Sequence, residues 1–195
     1  MTAPATDEGT PVLRRARRLA CANSKWDAYF DHIAGESGVE VADYLVLAPK
    51  RSRVDRVTGV TILPVAAGRI VLQRVYRHPV EAWVWEAPRG FVDPGEAPET
   101  AALRELAEEV ALACPAGRLM PLGLCAPETS TIIGKAALFA ALDCTPGGRR
   151  DEEELGLGSV HTFTLEEALA LADRSEIEDA TTLAVLYRYA RTAAP

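Results

Sequence analysis

The chain has no apolar run long enough to cross a bilayer, which argues against a membrane span. It also has no basic flank followed by an apolar stretch at its start, so residues 1–12 read as a disordered leader and not as a secretory signal. Positive charge is in deficit: the net charge is −7 over 195 residues, which argues against a nucleic-acid partner. The densest basic stretch, Arg14 to Arg18, reads as the solvent-facing side of an early strand. Cysteine is scarce and scattered, at 21, 114, 125 and 144, with no C-x-x-C pair. Zinc and redox motifs of that form are therefore missing, and free thiols in a reducing cytoplasm are the simplest expectation. Gly134-Lys135 lacks the surrounding residues of a phosphate-loop NTPase.

What is present is an ordinary globular composition, 48% hydrophobic and 25% charged. Short apolar or alternating stretches predict strands over 13–21, 26–33, 39–47, 57–65, 69–76, 80–86, 119–125 and 136–142. Turn residues at 35–38 and 66–68 join two pairs of them as hairpins. From Pro98 to Leu112 nearly every residue favours helix, and Pro98 suits a first helical position. Leu103, Leu106 and Val110 are spaced as its core-facing stripe. Thr164 to Glu167 is a capping box that starts a second helix, and a third is expected over 179–191. Strands interrupted by one helix, with helices at the end, give an α+β sandwich. One domain is expected over 13–195, with 13–56 as an N-terminal antiparallel strand arm.

The chemistry concentrates in Gly90–Leu112, GFVDPGEAPETAALRELAEEVAL. Glu105, Glu108 and Glu109 are three and four apart, which places their carboxylates on one helical face. Their mutual repulsion calls for an offsetting charge, and a hard divalent cation such as Mg²⁺ supplies one through carboxylate oxygens. A solvated acidic face is the bland alternative for three glutamates alone. Arg104, four residues before Glu108, can orient a carboxylate through a charge-assisted bond.

This segment resembles the signature of the Nudix hydrolases, G-x(5)-E-x(7)-R-E-U-x-E-E-x-G-U, where U is bulky and aliphatic. The match falls on Gly90, Glu96, Arg104, Glu105, Leu106, Glu108, Glu109 and Leu112, with Ala111 where the pattern has glycine. Alanine there either pays for a left-handed backbone or extends the helix. Further stretches look like the ADP-ribose pyrophosphatase branch: Asn23 to Trp26, Gln73 to Arg77, Trp85 to Gly90, and Glu176 to Thr182 with Ser175 replacing a glycine. Pro127 stands where that branch carries a proline.

The resemblance implies a Nudix α/β/α sandwich with a mixed sheet. It also implies Mg²⁺-dependent hydrolysis of a nucleoside diphosphate linked to another group, with Mn²⁺ as a possible substitute. ADP-ribose, giving AMP and ribose 5-phosphate, is the expected substrate. Another nucleotide-sugar such as GDP-mannose, or a silent nucleotide-sensing domain, are the alternatives. By the same resemblance Glu105, Glu108, Glu109 and the Arg89 carbonyl are metal ligands. Glu86 and Arg104 support them, with Glu86 also counted among the substrate-binding residues. The family's D-E-x-E loop lands on Glu152 and Glu154 as candidate bases. Arg77 is a candidate for the diphosphate cleft. Trp26, Tyr29 and Phe30 are candidates for an aromatic wall at the adenine, with plain strand packing the other reading. The arm implies a homodimer.

Overall fold

The computed structural model describes residues 11–50, 54–151 and 155–193, with side chains to residue 192. The expected leader over 1–12 therefore lies almost wholly outside the described residues. The chain divides into two compact units, residues 1–50 with 128–133, and residues 51–127 with 134–195.

The first unit is a three-stranded antiparallel sheet of β1 (Leu13–Ala22), β2 (Trp26–Ala34) and β3 (Glu40–Pro49), in that order. Asn23 shapes the first turn by accepting the N–H groups of Lys25 and Trp26 at 2.8 Å. The second turn closes where Gly38 donates to the Gly35 carbonyl, as the glycine spacing predicts. The basic stretch lies on exposed β1. Arg17 there forks onto both oxygens of Asp31 at 2.7 Å, and Arg18 stacks over Phe30. On the β3 side Leu47 bridges to Ile132, and the Tyr44 hydroxyl donates to the Ser130 carbonyl.

The second unit holds a seven-stranded mixed sheet. Its strands are β4 (Val57–Ala66), β5 (Arg69–Arg77), β6 (Ala82–Glu86), β7 (Arg89–Phe91), β9 (Leu119–Cys125), β10 (Lys135–Ala141) and β12 (Leu157–Phe163). The main path runs β12-β5-β4-β10-β9, with β6 on β5 and β7 on β4. Only the β4–β10 pairing is parallel. A two-stranded ladder joins β8 (Leu112–Ala113) to β11 (Thr145–Pro146). The helices are α1 (Pro98–Val110), α2 (Leu165–Asp173) and α3 (Ala180–Ala193).

Side-chain alternation along the two central strands explains the layering. Val60 and Ile62 of β4, with Ala137 and Phe139 of β10, face a core closed by Leu106 and Val110 of α1. Leu63, Val65, Leu138 and Ala136 face the other way, onto Ala168 and Leu171 of α2 and Val185 and Leu186 of α3. A sheet buried on both faces is the α/β/α sandwich expected from the sequence.

Several expectations shift in detail. Leu103 is 40% exposed, so it is not part of the α1 core stripe. The buried rows are Ala102, Leu106 and Val110, and, beside them, Ala101, Glu105 and Glu109. The four-residue spacing of these rows tracks the helix more closely than the three-residue step from Leu103 to Leu106. The strand expected from Val80 starts at Ala82, after a 3-10 turn over His78–Val80. Helix α1 stops at Val110 because Ala111 turns left-handed, at φ 53°. Strands β7, β8, β11 and β12 carry too few alternating apolar residues to stand out in sequence.

Candidate active site

The site is built where α1 packs on β4 and β7, with Gln73 from the middle of β5 reaching Glu109. Gly90 in β7 is the first requirement. A Cβ added there would collide with the Glu105 carboxylate, so glycine leaves room for that side chain where it now lies against the strand. Glu105 and Glu109 are one helical turn apart and buried, at 8% and 2% exposure. Glu108 lies a quarter turn away and is more open to solvent.

Arg104 gathers the acidic groups. Its guanidinium donates to Glu105 at 2.7 Å, to Glu108 at 3.0 Å, to both oxygens of Glu96 at 3.2 Å and to the Phe91 carbonyl. These bonds, Glu96 foremost, push the Arg104 pKa well above its ordinary value. Glu96 in turn accepts the Asp93 N–H, which fixes the loop before α1.

Glu109 is held by groups without net charge at the contact. The Gln73 side-chain amide and the Arg89 backbone N–H both donate to its Oε2. Gln73 is itself 1% exposed, and its Oε1 is buried without a hydrogen-bond partner among the described residues. A buried orphan acceptor beside a buried carboxylate marks a place for a donor, such as an ordered water or a hydrated ion.

Glu86, opposite Gln73 in the β5–β6 register, is clamped by two arginines. Arg77 donates to both of its oxygens, and Arg89 does the same from the other side. Burial alone would raise the Glu86 pKa, but these bonds outweigh it and hold the carboxyl below its usual range. Arg89 also reaches Asp179 at 3.4 Å. Burial opposes the Asp179 charge too, yet Arg89, Thr181 and Thr182 keep its pKa low. Thr182 donates to Asp179 and accepts the Ala87 N–H, tying the start of α3 to the segment before β7.

The expected residues are thus distributed as follows. Glu105, Glu108, Glu109 and Arg104 share one face of α1, with the Arg89 backbone beside Glu109 through its N–H. Arg77 and Glu86 form one ion pair. Pro127 is exposed in the loop after β9. Trp26 opens β2 of the other unit and is half-buried. Strand alternation puts Trp26 and Phe30 on one face of β2 and Tyr29 on the other, so the three aromatics do not form one wall. Glu152 and Glu154 lie outside the described residues. The chain just before them is anchored: the Asp151 N–H donates to the Glu108 carbonyl, and Arg150 donates to the carbonyls of Glu109 and Gly158. Trp85 is partly buried against Phe163 and His161 with Arg74 over its ring, whereas Trp83 is 48% exposed.

Gln73 and Asp179 are the site residues that composition and charge pattern did not single out. Both sit inside stretches that resemble the ADP-ribose pyrophosphatase branch, which is the signal that could have found them.

Among the described residues no three of His, Cys, Asp or Glu are grouped as an ion site. Arg104 bridges Glu96, Glu105 and Glu108 instead. The donor chemistry still fits a hard divalent cation. The available ligands are carboxylate oxygens, two are buried, and the Gln73 orphan oxygen can accept from a coordinated water.

Comparisons with known proteins agree with this geometry. Residues 55–186 match the family model for the NUDIX domain. The ADP-ribose pyrophosphatase of Bacillus subtilis is 33% identical over 137 residues, covering 69% of this chain and 73% of that protein. The ADP-ribose pyrophosphatase of Saccharomyces cerevisiae is 48% identical over 59 residues, 29% of this chain and 26% of its own length. The mouse ADP-sugar pyrophosphatase is 48% identical over 40 residues, 20% of this chain and 18% of its own. A crystal structure of an ADP compounds hydrolase superposes with a TM-score of 0.79 at 19% identity, covering 96% of both chains, which bears on the fold alone. With the signature helix, its glycine-backed carboxylate and the matched domain in hand, the chain belongs to the Nudix family of hydrolases.

Proposed function

We propose that this chain hydrolyses the diphosphate bond of an ADP-sugar, ADP-ribose foremost, to AMP and ribose 5-phosphate, with Mg²⁺ and with Mn²⁺ able to replace it. The observation that carries the reading is the buried pair Glu105 and Glu109 on one face of α1, one backed by Gly90 and the other held by Gln73 and Arg89. The named relatives supply the substrate class.

In the reaction, water adds to one phosphorus and the bridging P–O bond breaks, so each product leaves with a terminal phosphate. A bound divalent cation supplies neutralisation of phosphate oxygens and a lowered pKa for water. Glu105 and Glu109, with Glu108 and the Arg89 carbonyl, would hold it. Arg104 orients Glu105 and Glu108, while Gln73 fixes the rotamer of Glu109. Glu86 locks Arg77 and Arg89 in place, and Arg77 is only half-buried, so part of its guanidinium remains accessible to a diphosphate. Glu152 or Glu154 accepts the proton of the attacking water. What supports this choice is that the residue before them, Asp151, is bonded to the α1 backbone at Glu108. Trp26 and Pro127 serve the nucleotide end.

The arm of residues 13–56 pairs two copies into a homodimer. What supports this is the apolar exposure of Leu13, Leu19, Val41 and Leu45 on its sheet. Four free thiols favour a cytoplasmic protein.

The test is a panel of ADP-ribose, other ADP-sugars and GDP-mannose with Mg²⁺, read as phosphate released by a coupled phosphatase. ADP-ribose should give the highest kcat/KM. Preference for GDP-mannose would reassign the substrate, and binding without turnover would make the chain a sensor.

A further inference from the structure

The two-residue ladder of β8 and β11 places Thr145 opposite Ala113 and Pro146 opposite Leu112. Continued one step outward, the same register sets Cys114 opposite Cys144. The hydrogen-bonding phase of the ladder follows from its other end. Gly147 donates to the Ala111 carbonyl at 2.9 Å, so 111/147 is a bonded position. Bonded and non-bonded positions alternate along an antiparallel pair, which makes 113/145 bonded and 112/146 and 114/144 non-bonded. Two facts agree with this phase: Pro146 has no N–H to give, and the Cys144 N–H turns away to the Val65 carbonyl at 2.8 Å.

Non-bonded positions bring opposed Cα atoms to about 4.5 Å, inside the window for a disulfide. Cys114 Sγ donates to the Leu142 carbonyl and Cys144 Sγ to the adjacent Ala141 carbonyl, and each thiol lies near enough to influence the other's pKa. Both are free.

We propose that Cys114 and Cys144 are a preformed cross-strand pair that closes to a disulfide by exchange with a low-molecular-weight disulfide. Cys114 is the entry point, since it is half-buried whereas Cys144 is 5% exposed. The Cys114 thiolate attacks one sulfur of the small disulfide, whose S–S bond breaks and releases one thiol. Cys144 then gives up its proton, and its sulfur displaces the second small thiol from Cys114. Two protein thiols are oxidised, and one small disulfide is reduced to two thiols. Burial raises both thiols, Cys144 to about 11, with Asp143 adding to the rise and Arg118 opposing it at Cys114. The exchange is therefore slow near neutrality and quickens with pH.

The bond would act on the segment leading into the proposed acidic loop. That segment starts at β11 and is joined to α1 at Gly147–Ala111 and Asp151–Glu108. A disulfide at its root adds a covalent tie between the far end of α1 and the same segment, and it closes a loop of about thirty residues, long enough to stabilise through the unfolded state.

The test uses the full chain with Cys21→Ser and Cys125→Ser, incubated with oxidised glutathione at mildly alkaline pH. The expected result is the loss of two hydrogens in the intact mass, with a peptide linking positions 114 and 144. The oxidised protein should melt several degrees higher, an increase that disappears on reduction and is missing when Cys114→Ala is added. The wild-type chain, mapped by peptides, repeats the test should the double variant fold poorly. A glutathione adduct that stays on Cys114, oxidation only after denaturation, or a linked protein that melts lower would each overturn the proposal.

Discussion

At the residue scale the site turns on how Glu109 is kept. It is a carboxylate at 2% exposure whose partners at Oε2 are an amide and a backbone N–H. Neutral donors orient that oxygen, and the Arg89 guanidinium acts on the carboxylate from farther off. Glu109→Gln should keep the fold and lose several orders of magnitude in kcat, measured with saturating Mg²⁺; near-normal turnover would remove Glu109 from the site. Gln73→Met keeps the volume but deletes both amide functions. It should weaken Mn²⁺ binding by about 10- to 100-fold, the usual cost of losing a group that orients a metal ligand. Titration of Mn²⁺ by electron paramagnetic resonance reads this without any turnover. Unchanged affinity would reduce Gln73 to core packing.

At the scale of elements, two departures from the family pattern prove to be one kind of feature. Ala111 and Ser175 stand where the pattern has glycine, and both have left-handed backbones, at φ 53° and 58°. The helix end thus keeps the geometry that glycine would serve, and of the two outcomes open at Ala111 the strained one is found. Ala111→Gly should stabilise the protein by about 0.5–1 kcal/mol, the relief of left-handed strain less the added freedom of the unfolded chain. Thermal melts should show a rise of about 2–3 °C; a fall would mean that the alanine methyl packs favourably enough to offset its strain.

The β1–β2 pairing carries its own acid sensitivity. The hydrogen bonds from Arg17 lower the Asp31 pKa from its ordinary 3.8, against the pull of burial. A lowered folded-state pKa means the unfolded chain takes up protons first as pH drops. The pair's contribution is therefore complete above the ordinary value and is lost as pH falls through the folded value. Asp31→Asn should flatten the melting temperature against pH below about 4.5. An unchanged slope would show that other carboxylates govern the acid limb.

At the scale of the whole molecule, the three-stranded sheet exposes Leu19 at 53% and Leu45 at 43%. If the sheet pairs with a second copy, light scattering should give the mass of two chains, and either Leu19→Glu or Leu45→Glu, which lie on opposite faces of the sheet, should shift it to one. A monomeric mass for the unaltered chain would refute the dimer. No described helix is long and apolar enough to cross a membrane.

The sequence by itself determined the reaction class and the layered fold. The reaction class rests on the resemblance of Gly90–Leu112 to the Nudix signature, and the elements rest on local signals: Pro98 at a first helical position, the capping box at Thr164, and alternation in β4 and β10. Such signals are carried by neighbours in the chain, so a linear reading recovers them. Only the tertiary structure decided which groups hold those carboxylates. Gln73 lies 36 positions from Glu109, and Thr182 lies 95 from Ala87. It also decided that Arg77 and Arg89 converge on Glu86, that Leu103 faces solvent, and that Cys114 and Cys144 flank a two-residue ladder. These depend on strand register and on side chains meeting across the sheet, where burial and hydrogen bonding between distant segments select one arrangement among many that the local pattern allows.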